Sequence, residues 1–105
     1  MNMKIIDTKI LSGDNHPQLK IGDKLYIVDD RKSTFDKIMA VQNDVKVSQE
    51  KKELSILEMS LGKKAAKEIL AMDLSVKDYT YLTFCIMGAI TGEDPDKLRD
   101  NARKN

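Results

Sequence analysis

The chain has 105 residues, a third of them charged, with 18 Lys and Arg set against 17 Asp and Glu for a net charge of +1. That length fits one domain able to bury a core without metal or disulfide staples, and so even a balance leaves no concentrated basic patch for nucleic acid. One Cys and one His exclude an internal disulfide and an ordinary zinc set, and no charged-then-apolar signal pattern opens the chain.

In chain order, MKIIDTKIL (residues 3–11) is a short β-like run, and SGDNHPQ, which holds His16, has loop chemistry punctuated by Gly13, Asn15 and Pro17. The next stretch, LKIGDKLYIVDD, carries the clearest strand signal. Leu19 and Ile21 alternate with Lys20, Gly22-Asp23 suits a type II′ turn, and Leu25 to Val28 form the return strand. Two or three strands cannot stand alone and must pack on something.

Ser33 and Asp36 have the spacing of a helix start, and Phe35, Ile38, Met39, Val41 and Val45 then share one face of a helix predicted over 34–47. Ser48 can cap a further segment whose stripe is Leu54, Leu57 and Leu61. Residues 34–61 read as one helix or two, with β-branched Val45 and Val47 favouring a break. Gly62 is a second joint. Beyond it Leu61, Ala65, Ile69 and Met72 line one face, widened by Ala66 and Leu70, while Lys63, Lys64 and Lys67 point away.

The best-marked helix is predicted over 76–91. Ser75 and Asp78 form a capping box, Leu74 and Tyr79 sit as a hydrophobic staple, Gly92 takes the C′ position and Pro95 stops continuation. Its apolar arc is unusually wide. Ala89, Leu82, Ile86, Tyr79, Ile90, Val76 and Met87 share it, Tyr81 and Cys85 flank it, and Phe84 lies almost opposite Leu82. The helix is therefore central in the fold, or it has a core face and a contact face. A membrane span is disfavoured, since the run falls short of about 20 residues and carries Lys77 and Asp78. Leu82, Ile86 and Ala89 are expected to face inward, and Tyr81, Phe84 and Met87 to form the contact face. Leu54, Leu57 and Leu61 make a second candidate contact stripe. Residues 1–94 read as one domain and 95–105 as a charged tail, flexible after a short helical turn. The fold class is α+β: a short N-terminal antiparallel hairpin followed by a bundle of three to four helices.

Phosphate-loop, dinucleotide, nucleophile-elbow and paired-cysteine motifs do not occur. The acidic pairs Asp29-Asp30 and Glu93-Asp94 sit at element ends, where capping accounts for them, and Cys85 lies in the apolar helix without a base nearby. A recognition helix for DNA needs polar and basic residues toward the groove, whereas this helix offers Tyr, Thr, Phe and Met. No catalysis and no cofactor are expected.

Taken together, the hairpin ending in an acidic pair, the central SILEMSLGKKAAKEILAMDLSVKDY and the final YLTFCIMGAITGED resemble the tail assembly chaperones of long-tailed phages and prophages of Gram-positive bacteria. The resemblance is strongest over residues 54–94. It implies a non-enzymatic protein of the host bacterial cytoplasm that binds the long, helical tape measure protein and keeps it soluble during tail assembly. It also implies a frameshifted longer form of the same product and self-association into a homo-oligomer. Methionines 39, 59, 72 and 87 would suit an adaptable surface. The alternative is a small phage or bacterial regulatory or adaptor protein that binds another protein through a helical surface.

Overall fold

The hairpin is tied to the helices by an alternation that its apolar run hides. In the computed structural model, which describes residues 3–5 and 16–103, β1 (Gln18–Ile21) pairs antiparallel with β2 (Lys24–Ile27). Leu19 stands opposite Tyr26 and Lys20 opposite Leu25. Gly22 takes φ +60°, while Asp23 keeps a negative φ, the sign pattern of the expected type II′ turn. Tyr26 and Val28 are buried, whereas Leu25 and Ile27 on the other face stay mostly exposed. The Val28 N–H donates to the Pro17 carbonyl and the Asp29 N–H to the Ser60 carbonyl, which fastens the strand end to the second helix. Tyr26 Oη and Lys24 Nζ both donate to Glu68 on the third. Of the predicted β-like run 3–11, Met3–Ile5 have no regular structure and the rest lies outside the described residues.

Among the described residues five helices follow: α1 (Lys32–Gln42), α2 (Gln49–Leu61), α3 (Lys63–Ala71), α4 (Val76–Thr91) and α5 (Pro95–Arg103). This is the expected α+β class, with more helices than predicted. α1 begins earlier than Ser33 implies: its cap is Arg31, which makes no side-chain cap bond. Asp29 fixes that start by accepting from the Arg31 backbone N–H and guanidinium. α1 also ends earlier than position 47. The Asp44 carboxylate accepts from the Lys46 N–H and its carbonyl from the Val47 N–H, so Asp44–Val47 turn and Val45 is fully in solvent rather than on a helix face. Residues 34–61 are thus two helices, and Ser48 caps the second through the Lys51 N–H. Gly62, at φ +93°, ends α2 and starts α3. Asp73, at φ +49°, turns the chain toward α4.

α4 has the predicted limits. The Ser75 hydroxyl accepts from the Asp78 N–H at 3.1 Å, and left-handed Gly92 closes the end through its bond to the Gly88 carbonyl. The tail expected to be flexible instead forms α5. Pro95, which stops α4, occupies the first position of the next helix, where its fixed φ fits and its missing N–H costs nothing. Asp94 supplies the start by accepting from the Asp96 N–H.

The core is Tyr26, Ile38, Ile56, Leu57, Ala66, Ile69, Leu82 and Ile86. α2 is the element that packs against α1, α3 and α4 alike. α4 packs against α2, α5 and β1 and turns Leu82 and Ile86 into the core, which leaves Val76, Tyr81 and Phe84 of its apolar arc to be explained.

Candidate functional site: two grooves along α4

α5 folds back along the outer side of α4, and a missing side chain permits it. A Cβ on Gly88 would lie 2.6 Å from the Glu93 carbonyl oxygen and 3.1 Å from the Pro95 ring. The hairpin between the helices closes there because position 88 is Gly. Further along, Tyr81 Oη donates to Asp96 at 3.0 Å and the Arg99 guanidinium lies 5.4 Å from the Tyr81 ring centre. The bond to Asp96 is the main cause of a phenol pKa above its usual value.

Between the two helices runs a groove of about 480 Å³ with Tyr81 and Phe84 as its apolar lining and Lys77, Arg99 and Arg103 along its rim, opposed by Asp78. Arg99 reaches Asp96 and Asp100 only at 3.6 and 3.7 Å, and its Nε is buried without a hydrogen-bond partner. Cys85 is half-buried beside it, and burial pushes its thiol pKa up, so it behaves as an apolar filler.

On the other side of α4 lies a second groove, about 310 Å³, between the start of α4 and the α2 and α3 surfaces. Leu54, Leu70, Leu74, Val76 and Tyr79 line it, and Glu50 and Glu53 give it an acidic rim. Val76 is 84% exposed and Leu70 48%. Burial, reinforced by Glu53, raises the Tyr79 phenol pKa.

The predicted contact residues divide among these places. Tyr81 and Phe84 share the α4–α5 groove, and Leu54 lines the second. Met87 is packed against the core and Leu57 is completely buried. Leu57 cannot serve as a contact, because a stripe read along one helix does not say that other helices cover it; half-buried Met87 lines neither groove. Leu61 is half-buried against the core at a cleft shared with Met59 and His16. Leu82 and Ile86 face inward as expected, while Ala89 is only half-buried. Sequence reasoning missed Arg99 and Arg103, whose i, i+4 spacing beside Leu98 and Ala102 marks an amphipathic turn pair. It also missed the exposure of Leu70 and Val76.

Elsewhere, His16 Nδ1 and Asp30 lie 2.8 Å apart on the surface. Among the described residues no group of three or more His, Cys, Asp or Glu could hold a metal ion, and no helix is long and apolar enough to cross a membrane. Comparison with family models, curated proteins and solved structures gives no match to this chain.

Proposed function

We propose that this chain is a non-enzymatic binding protein that holds apolar helical segments of a partner, and more particularly a phage tail assembly chaperone whose client is the tape measure protein. One observation carries the reading: α4 presents an open apolar groove, floored by Phe84 and Tyr81, on the side away from the core. An amphipathic helix laid in such a groove exchanges its own exposed apolar face for a protein surface, which is how helix-in-groove recognition keeps a client out of aggregates. The cationic rim would select segments whose flanks carry acidic residues. Work of this kind belongs in the cytoplasm of the infected or lysogenic bacterium.

Co-expression with a tape measure protein tests it. The client alone should be insoluble, wild-type chain should keep it soluble and co-purify with it, and Phe84→Ser should lose most of that capture. Apolar capture should also change little between low and moderate salt. A client that is never captured, or tight DNA binding that falls steeply with salt, overturns the reading.

A further inference from the structure

α5 is fastened to the molecule at few points. None of its residues is buried: Pro95, Leu98 and Arg99 are half-buried and the others are exposed. Among the described residues, α4 is the element it packs against. Its side-chain ties are the hydrogen bond from Tyr81 to Asp96 and the Arg99 guanidinium beside the Tyr81 ring. Arg99 stands 3.6 and 3.7 Å from Asp96 and Asp100, too far for hydrogen bonds, and its buried Nε has no acceptor, so this seat leaves a donor unsatisfied. At nine residues α5 is also shorter than the roughly 12–15 that a helix needs to persist alone in water. A weakly held helix therefore lies along the side of α4 that carries Tyr81 and Phe84.

We propose that α5 is a displaceable strap, which lies on α4 while the protein is empty and swings out about residues 92–94 when a client helix takes its seat. Size makes the movement necessary. An α-helix about 10 Å across, rising 5.4 Å per turn, fills roughly 420 Å³ per turn, so the groove of about 480 Å³ admits one turn. A client segment of several turns fits only where α5 now lies. The hinge is at hand, since left-handed Gly92 and exposed Glu93 and Asp94 separate the two helices. α5 also shows the chemistry of its replacement: it offers α4 a half-buried Leu98, and it gives the Tyr81 hydroxyl a carboxylate acceptor. A longer amphipathic helix with an apolar face and an acidic flank makes the same contacts over more of α4. The closed strap lowers the apparent affinity by the fraction of molecules it keeps shut, and so withholds the apolar side of α4 from weak partners. The inference rests on the client reading given above.

Hydrogen exchange of the full chain, read by mass spectrometry with and without a co-purified tape measure protein, tests it together with the capture assay on Asp96→Ala. Asp96 is 59% exposed and outside the core, so this variant keeps its fold. Client binding should slow amide exchange in 79–88 and speed it in 96–103, whereas a fixed wall of the groove would be slowed in both. Asp96→Ala should speed exchange in 96–103 without a client and raise capture about two- to tenfold, because the hydrogen bond that closes the strap no longer competes. Slower exchange in 96–103 on binding overturns the proposal, as does an Asp96→Ala protein that captures client no better than wild type. A wild type that captures no client removes the client reading and the strap with it. A wild type that captures client while α5 stays protected removes the strap alone.

Discussion

At Gly88 two effects of a missing side chain oppose each other. A glycine inside an exposed helix ordinarily costs about 1 kcal/mol relative to Ala, so Gly→Ala usually stabilises. Here the new methyl would meet the Glu93 carbonyl at 2.6 Å, and a backbone oxygen cannot rotate away as a side chain can. The steric term should win. Gly88→Ala is expected to lower stability by about 1–3 kcal/mol and to speed proteolysis within 95–103; a higher melting temperature would mean that the α4–α5 turn has room to spare. Asp29 decides a different question, the response to acid. Its hydrogen bonds to Arg31 hold the carboxyl well below the usual carboxylate range, with burial opposing and Thr34 assisting. A carboxyl depressed in the folded state stabilises the fold above its unfolded pKa of about 3.9 and loses that contribution as pH falls further. Asp29→Asn should therefore destabilise at pH 7 and make less difference at pH 3, as read from urea midpoints at the two values. An equal effect at both would show that packing at the start of α1, rather than the charge, is what Asp29 supplies.

Within α4 the core side and the groove side are separable by substitution. Ile86 is fully buried, so Ile86→Ala should cost about 2–5 kcal/mol. Phe84 is half-buried in a groove and should cost clearly less on change to Ser, while losing the most in client capture. Thermal melting of both variants checks the order, and a Phe84→Ser protein that melts as low as Ile86→Ala would place Phe84 in the core and empty the groove of its meaning. The limits of α4 were legible because Ser75, Gly92 and Pro95 act through local hydrogen bonds and dihedral limits that need no tertiary context. The same locality misled at its end. Pro95 reads as a stop for what precedes it, and only the approach of Glu93 to Gly88 shows that it also begins α5. Likewise Ser33 matches a start signal that Asp29 and Arg31 pre-empt by bonding each other. Leu57 and Phe84 both read as apolar residues on amphipathic helices. What separates them is that α2 is enclosed by three other helices while α4 is not, a fact of assembly that periodicity along one element does not contain.

For the molecule as a whole, surface is the governing quantity. The buried cluster at its centre comprises eight residues among those described. The core is correspondingly small, and a chain that buries little on its own has little margin against the few kcal/mol by which folded domains survive. Any partner that binds only the folded form adds stability by mass action, and when the partner is a second copy that gain depends on the protein concentration itself. Each tenfold rise in concentration is worth about 1.4 kcal/mol per dimer, which spread over two chains raises the melting temperature by a few degrees. Scanning calorimetry from low to high micromolar concentration should therefore show the midpoint climbing for a self-associating wild type and climbing less for Phe84→Ser. A midpoint independent of concentration in both would mean that the folded monomer is stable as it stands, with the α4–α5 groove left for another protein.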